Sequence, residues 1–369
     1  MMQNKPISKL ILSTFLLLFC WVSGQNSYSY TPPKSDTDGW ETADMRTNHL
    51  DTTRIYQLFN QLSTADHSLN SMLIVHNGKL ILEEYFPADQ RKNPHDLRSV
   101  TKSIRSLLLG IAVDQGLIES INDPLFKYLK QPLPQKNLDP RKNEITLAHL
   151  LTMSSGLDCN DWDQNSLGQE DRVYKKRDWM QYTLDLPMIN EPGTKSSYCS
   201  MGSILISKVI EEVSGLTIDQ FAEKHLFKPM GISNYTWGHT RKKQVISAGR
   251  RLYMTPRDMA KIGQLVLNNG EWDSGQIVSK NWIQVSTKVH TRIDQMDYGY
   301  LWWNIPFKTG HTTYHSVSAT GNGGQYIMIF PELDLIAVFT GEAYNSAESQ
   351  LAFPIVRDVI IPSLQLTEN

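Results

Sequence analysis

The chain has 369 residues, which is long enough to bury a large core and to hold more than one domain or subdomain. It carries 36 lysines and arginines against 38 aspartates and glutamates, so its formal net charge is −2. Because this balance leaves no basic excess, we expect no nucleic-acid partner.

The N-terminus predicts a secretory signal peptide over residues 1–24. A basic stretch, MMQNKPISK, is followed by the apolar run LILSTFLLLFCWV and by small residues, which favours cleavage after Gly24. Cys20 raises the alternative of lipidation, but the bulky Phe19 before it argues against that modification. The apolar run is shorter than the roughly 20 residues of a membrane span. We therefore expect a secreted or periplasmic protein without a stable membrane span.

Strand and helix signals begin after a polar, proline-containing stretch. A helix is predicted at Thr53–Leu62, and the segment Ser71–Phe86 places Asn77-Gly78 between two apolar runs, which predicts a β-hairpin. Near the C-terminus, Gln325–Phe330 and Leu335–Thr340 flank a Pro-Glu-Leu-Asp turn and predict a second strand pair. Strands at both ends indicate one antiparallel sheet that both ends of the chain close.

The middle of the chain carries helix signals. The segment Val100–Gly116 is apolar nearly all round, which is typical of a helix buried between domains. Residues 158–177 are polar and predict a surface loop. Further helices are predicted at Gly202–Ser214, after the Thr217/Gln220 capping box, from Pro256 to Asn269-Gly270, and at Ala347–Leu364.

These elements predict an α+β fold in which helices flank an antiparallel sheet, with an additional all-helical domain and a cleft between the two. We assign residues 25–50 to an irregular arm. The sheet domain is predicted to comprise residues 51–110 and 290–369, and residues 111–289 are predicted to form the mainly helical domain.

Two cysteines, Cys159 and Cys199, follow the predicted signal peptide. Export makes a disulfide between them possible, and two buried thiols are an equally good interpretation. The ten histidines form no H-E-x-x-H or comparable cluster, and two cysteines without matching histidines make a poor zinc site. We expect no metal and no cofactor.

The strongest chemical signal is the pair Ser99 and Lys102, the single S-x-x-K match in the chain. An i,i+3 spacing places both side chains on one helical face. The helix N-terminus there favours developing negative charge, so Ser99 is predicted to be a nucleophile with Lys102 as its proton partner. The alternative is a helix-capping serine beside a surface lysine.

A second element, Tyr198, follows a Pro-Gly turn and precedes a predicted helix. Beside a lysine the charged form of a phenol is favoured, so Tyr198 is a candidate proton acceptor for Ser99. The alternative is a buried aromatic ring. Whether Lys102 or Tyr198 is the general base stays open.

A third element is the glycine-rich segment Ser318–Gln325, just before a strand. Its glycines, Gly321 among them, allow the backbone to approach a substrate closely. The N–H of Asn322 is predicted to complete an oxyanion hole with the N–H of Ser99. The alternative is an ordinary glycine turn.

In this order, Ser99-Val100-Thr101-Lys102, Tyr198-Cys199-Ser200 and the glycine-rich strand entry resemble the serine β-lactamase-like superfamily. That superfamily includes class C β-lactamases, DD-peptidases, family VIII esterases and 6-aminohexanoate-dimer hydrolases. The resemblance covers roughly Leu73 to Phe353. It implies a sheet domain, a helical domain and a catalytic cleft between them.

Two departures from the family pattern bear on the substrate. Ser200 stands where an asparagine is usual, and Ala319-Thr320-Gly321 replaces a strand that begins with a lysine or histidine. Losing that cation should weaken recognition of β-lactams and of D-Ala-terminal peptides. We therefore expect an esterase or amidase acting on a small ester, amide or short peptide-like substrate, rather than a strict β-lactamase.

Aromatic side chains are expected to shape the pocket, with Ser200 and Trp303 as substrate-binding candidates. For each tryptophan, including Trp162 and Trp302, core packing is the alternative. Asp161 is expected to be a solvated loop residue.

Two further functions were weighed. A cell-envelope binding or sensor protein of the same fold would show little or no turnover. A Ser-His-Asp hydrolase is rejected, because the chain has no Gly-x-Ser-x-Gly elbow.

Overall fold

A computed structural model of the chain describes residues 28–48, 50–86, 89–238 and 251–364. The predicted signal peptide, with Cys20, lies outside the described residues. Within the described ranges, no helix is both long enough and apolar enough to cross a bilayer.

An eight-stranded antiparallel sheet forms the centre of the fold, in the order β2-β1-β13-β12-β11-β10-β9-β8. A three-stranded sheet, β3-β5-β4, and the pair β6-β7 lie outside it. The strands are β1 (Leu69–His76), β2 (Lys79–Tyr85), β3 (His95–Asp96), β4 (Tyr235–Trp237), β5 (Leu252–Met254), β6 (Glu271–Trp272), β7 (Gly275–Gln276), β8 (Thr291–Ile293), β9 (Met296–Tyr298), β10 (Trp303–Thr309), β11 (Thr312–Gly321), β12 (Gln325–Phe330) and β13 (Leu335–Gly341).

Local turn chemistry and long-range pairing both shape this sheet. Asn77 and Gly78 have φ angles of 52° and 72°, the positive values that a tight hairpin turn of this kind requires. The predicted hairpin is therefore confirmed. β1 also pairs with β13, where Leu73 lies opposite Val338, so strands from both ends of the described chain meet as predicted.

The helices surround the large sheet and fill the middle of the chain. They are α1 (Thr52–Leu62), α2 (Val100–Asp114), α3 (Leu125–Tyr128), α4 (Leu147–Leu151), α5 (Glu170–Val173), α6 (Trp179–Leu184), α7 (Ser200–Ser214), α8 (Ile218–Ala222), α9 (Pro256–Leu267), α10 (Lys280–Thr287), α11 (Ala352–Ile355) and α12 (Ile361–Ser363). The predicted helix starts at Thr217 and Pro256 and the predicted stop at Gly215 are confirmed.

The predicted helical stretch Ala347–Leu364 is helical over most of its length, but it is not one regular α-helix. The segment is a series of short pieces: a 3₁₀ turn at Ala347–Gln350, then α11, a π-helical turn at Val356–Ile360, and α12. Pro354 and Pro362 lie within this segment. A proline has no N–H for the helical ladder and its ring crowds the preceding turn, which interrupts a regular α-helix.

The core divides into two clusters on opposite faces of the sheet, following the two-residue alternation of a strand. In β1, Leu73 belongs to the cluster that packs on α2 and α9, whereas Met72 belongs to the cluster that packs on α1 and the C-terminal helices. Helix α9 lies within the region predicted to be the helical domain, yet it packs on the sheet. A Cβ on its Gly263 would come within 2.8 Å of Ile336 and 3.0 Å of Ile327, so the glycine permits this close approach.

The same packing places the start of α2 beside the end of β11. A Cβ on Gly321 would lie 2.5 Å from the carbonyl oxygen of Leu97, two residues before Ser99. Beyond the pair Trp303–Ser318, the last three residues of β11 extend past β10 towards this start. The fold thus brings the glycine-rich strand end and the first turn of α2 together.

Candidate active site

Ser99 and Lys102 meet at the start of α2. Ser99 is the N-cap residue of that helix, and the Nζ of Lys102 donates a 2.8 Å hydrogen bond to the Ser99 Oγ. The lysine is only 5% exposed, so its amine is held at the serine rather than in solvent. A hydroxyl with a nitrogen base within hydrogen-bond reach is the arrangement that nucleophilic catalysis requires.

The turn before the helix is held in a costly conformation. Arg98 has a φ of 49°, in the left-handed region that non-glycine residues seldom occupy. Asp96 supports it, because its Oδ1 accepts the Arg98 N–H at 3.1 Å and its Oδ2 pairs with the Arg98 Nε at 3.1 Å. This turn fixes the direction in which Ser99 enters α2.

Tyr198 lies on the other side of Lys102. The Lys102 Nζ is 4.7 Å from the centre of the Tyr198 ring, a distance at which the ring face stabilises a cation. The Tyr198 ring stacks on Trp162 at 5.1 Å and on Trp303 at 5.7 Å between ring centres. These three rings, called here the aromatic wall, form one side of the site.

Trp303 therefore lies at the site, as the sequence suggested for one of the tryptophans. Trp302 does not: its side chain is fully buried and belongs to the core. Trp162 is 46% exposed, so it is the solvent-facing edge of the aromatic wall.

A disulfide joins Cys159 and Cys199. Of the two interpretations that the sequence left open, the structure contains the disulfide. The bond connects the loop that carries Trp162 to the residue between Tyr198 and Ser200. It therefore connects the segment of Trp162 to the segment of Tyr198, which are distant in sequence.

Asp161 adds a second tie across the same junction. Its backbone N–H donates to the Tyr198 carbonyl at 2.7 Å, and its Oδ2 accepts the backbone N–H of Ser200 at 2.8 Å. One residue thus binds the peptide groups on both sides of Cys199. The expectation that Asp161 is a solvated loop residue was wrong, because the disulfide draws its loop onto the start of α7.

Ser200 and Glu170 continue this polar network. The Ser200 Oγ donates to the Glu170 Oε2 at 3.2 Å, and the Glu170 N–H donates to the Asp161 Oδ1 at 3.1 Å. Burial raises the pKa of Asp161 to about 6, although the positive charge of Lys102 acts in the opposite direction. Ser200 thus faces the site but is already engaged with a carboxylate.

Gly321 and Asn322 lie close to the turn that precedes Ser99. Asn322 lines the same pocket as Ser99, and its side chain exchanges hydrogen bonds with Asn345 at 2.8 and 2.9 Å. Those bonds fix the loop and leave the backbone of Asn322 for a substrate oxygen. The predicted site residues Ser99, Lys102, Tyr198, Ser200, Trp303, Gly321 and Asn322 are therefore neighbours in space.

Sequence reasoning missed Asp161, Glu170 and the arginines near Ser99. The signal for Asp161 was its position two residues after Cys159, which becomes informative only if Cys159 is paired with Cys199. Across the described ranges, no group of three His, Cys, Asp or Glu side chains is placed to hold a metal ion.

Comparison with known proteins agrees with this geometry. The 6-aminohexanoate-dimer hydrolase of Paenarthrobacter ureafaciens is 22% identical over 298 residues, which is 74% of this chain and 72% of that protein. The structure of EstCE1, a hydrolase with promiscuous acyltransferase activity, is similar with a TM-score of 0.67 at 14% identity, covering 84% of this chain and 98% of that one. The octameric penicillin-binding protein homologue from Pyrococcus abyssi gives a TM-score of 0.64 at 18% identity, covering 84% and 77%.

At these identities the two structures establish a shared fold. The family model described as Beta-lactamase matches residues 63–356, which is most of the chain. The matched range contains the Ser99–Lys102 pair, the aromatic wall and the glycine-rich strand end. The chain therefore belongs to the Beta-lactamase family.

Proposed function

We propose that the protein is an exported serine hydrolase that cleaves an ester or amide bond through an acyl-enzyme on Ser99. The observation that carries this proposal is the 2.8 Å hydrogen bond between the buried Lys102 Nζ and the Ser99 Oγ. A serine at a helix N-terminus with a buried amine beside it has the geometry of an activated nucleophile.

Acylation begins when neutral Lys102 accepts the Ser99 hydroxyl proton as the Oγ attacks the substrate carbonyl carbon. The backbone N–H groups of Ser99 and Asn322 stabilise the oxyanion of the tetrahedral intermediate. The intermediate collapses, the bond to the leaving group breaks, and the leaving group takes the proton from the Lys102 ammonium. Water then attacks the ester on Ser99, returns a proton to the serine and releases the acid.

Lys102 is favoured over Tyr198 as the first proton acceptor. The hydrogen bond to Ser99 comes from the lysine, whereas Tyr198 contacts the lysine through its ring face. In this arrangement the ring stabilises the ammonium that forms when Lys102 takes the proton. In this proposal, Tyr198 does not take the proton itself but stabilises the charged form of Lys102.

Export is proposed from two features. The first is the signal-peptide pattern at the N-terminus. The second is the Cys159–Cys199 disulfide, since such bonds persist mainly in oxidising compartments. We propose secretion or release into a periplasm.

The test uses purified protein and a short-chain 4-nitrophenyl ester. Wild-type protein should release nitrophenolate continuously, and mass spectrometry of the quenched reaction should find the acyl group on the peptide that contains Ser99. Ser99→Ala should abolish both signals while circular dichroism remains unchanged. Turnover that survives Ser99→Ala would disprove the assignment. One equivalent of nitrophenolate followed by none would instead favour the binding or sensor protein.

A further inference from the structure

A pocket beside Ser99 is lined by three arginines. Arg98, Arg105 and Arg251 line it together with Lys102, and Glu170 is the one acidic residue among the described lining residues. Ser99 and Asn322 also line this pocket, so it opens directly at the nucleophile and at the predicted oxyanion hole. We call it the arginine pocket.

Two of these arginines pair with the same carboxylate. Arg98 and Arg251 share one acidic partner, because both approach Asp96, at 3.1 and 3.4 Å. Arg105 is buried, and its Nη1 donates to the Ser203 Oγ at 3.0 Å. Burial lowers the pKa of Arg105 to about 10, so this guanidinium remains positively charged at neutral pH.

The one carboxylate in the lining is committed to the protein. Glu170 Oε2 accepts hydrogen bonds from the Ser200 hydroxyl at 3.2 Å and from the Tyr174 hydroxyl at 3.0 Å. It therefore holds the start of α7 and the Tyr174 ring rather than presenting a bare anion to a ligand. A substrate ammonium group in this pocket would meet three guanidinium groups, which disfavours it electrostatically.

We propose that the arginine pocket binds a carboxylate on the acyl part of the substrate, with Arg251 as the specificity-determining residue. Arg251 is the best placed of the arginines to meet a ligand, because 38% of its side chain is exposed, against 27% for Arg98. Guanidinium groups bind carboxylates with strong, often paired hydrogen bonds. This inference rests on the proposed acyl-transfer function and names the substrate class for it.

The inference also revises the sequence-based expectation about anions. The strand position that lacks a cation, Ala319-Thr320-Gly321, suggested a site poorly suited to a substrate carboxylate. In the structure, Arg98, Arg105 and Arg251 line a pocket at Ser99 from segments other than β11, so the site is not poor in cations.

The test compares three 4-nitrophenyl esters of equal chain length: the monoester of adipic acid, its monoamide analogue with a neutral carboxamide end, and the 6-aminohexanoate ester with an ammonium end. We expect kcat/KM to favour the carboxylate over the carboxamide by about ten- to a hundred-fold, mainly through KM, with the ammonium ester poorest. The preference should shrink at high salt, since the pocket is partly open.

Substitutions test whether the arginine pocket causes the preference for the carboxylate ester. Arg251→Gln should reduce the carboxylate-to-carboxamide ratio by about ten-fold, and Arg251→Lys should keep part of it. Arg292→Gln is the matched control, because Arg292 is 72% exposed and lies outside the pocket, and it should keep the wild-type ratio. Thermal unfolding of each variant checks that it is folded.

The outcomes separate the two proposals. If none of the esters acylates Ser99, the proposed function fails. If the esters are hydrolysed with no preference for the carboxylate, or if Arg251→Gln leaves the preference intact, only the arginine pocket's role is overturned. Preference for the ammonium ester would also overturn it.

Discussion

The Lys102 Nζ lies 4.7 Å from the centre of the Tyr198 ring, while its hydrogen bond goes to Ser99. The two aromatic residues stacked on Tyr198 hold the ring in this orientation. In the proposed mechanism, this relationship separates two roles that the sequence left together. Lys102 is the base that takes the proton from Ser99, and Tyr198 is the aromatic surface that stabilises the charged form of that base.

Substitutions at these two residues distinguish the roles. Lys102→Met should lower kcat by about a thousand-fold, because general-base catalysis contributes on that order. Tyr198→Phe keeps the ring and should lose no more than about ten-fold, whereas Tyr198→Leu removes the cation–π contact and should lose more. Steady-state kinetics on one activated ester measures all three. A Tyr198→Phe variant as inactive as Lys102→Met would make the phenol the base.

The Cys159–Cys199 disulfide should stabilise both the fold and the site. The two cysteines are 40 residues apart, so the loop-entropy relation predicts about 4 kcal/mol of stability at 25 °C. The double variant Cys159→Ser/Cys199→Ser should therefore unfold at lower denaturant concentration than the wild type. It should also lose activity, because the loop that carries Trp162 and Asp161 is released. Equal midpoints for the oxidised wild type and the double variant would contradict the prediction.

Asp161 should make stability depend on pH in a defined window. Its pKa in the folded protein is about 6, above the ordinary value of 3.8, so between these values the folded state binds more protons than the unfolded state. The free energy of unfolding should therefore fall as the pH rises from about 4 to about 6, and this contribution should then stay constant.

Asp161→Asn removes that titration. Relative to the wild type, the stability of the variant should improve as the pH rises through the same window, whatever its absolute value. Denaturant unfolding of both proteins at several pH values from 4 to 7 measures the difference. A difference that does not change with pH would show that folding does not raise the pKa of Asp161.

Gly321→Ala should displace the end of β11 from the start of α2 and so disturb the site. The new Cβ would lie 2.5 Å from the Leu97 carbonyl oxygen, a backbone atom that cannot easily move, so the strand must shift away from the start of α2. We expect a loss of stability of about 1–3 kcal/mol and a larger fractional loss of kcat than of substrate binding. Gly275→Ala is the control, since its Cβ would meet its nearest contact at 3.4 Å. Equal activity of the two variants would contradict the prediction.

Features of the fold and of the site could be predicted where they depend on residues close together in the sequence. The Asn77-Gly78 turn, the S-x-x-K spacing and the Thr217 and Pro256 helix starts are encoded within a few residues, and all of them were recognised. The C-terminal helical stretch was placed correctly, but its changes between 3₁₀, α and π geometry were not predicted.

The missed parts of the site depend on contacts between distant segments. Asp161 binds the peptide groups around Cys199 only because the disulfide brings the two segments together. Arg251 reaches the pocket of Ser99 through the pairing of β3 with β5, which no local pattern announces. The lack of a cation at Ala319-Thr320-Gly321 therefore led to the expectation of a site with few positive charges, whereas arginines from other segments lie near Ser99.

The pairing of β1 with β13 has a consequence for how the chain reaches its native state. Leu73 finds its partner Val338 only after most of the described chain is available, so the central part of the sheet closes a very long loop. Folding that waits for such a contact is slow, and it leaves an apolar edge of β1 open in the meantime. A chain emerging from a ribosome or a translocation pore would thus benefit from a chaperone that covers the β1–β2 hairpin until β13 arrives.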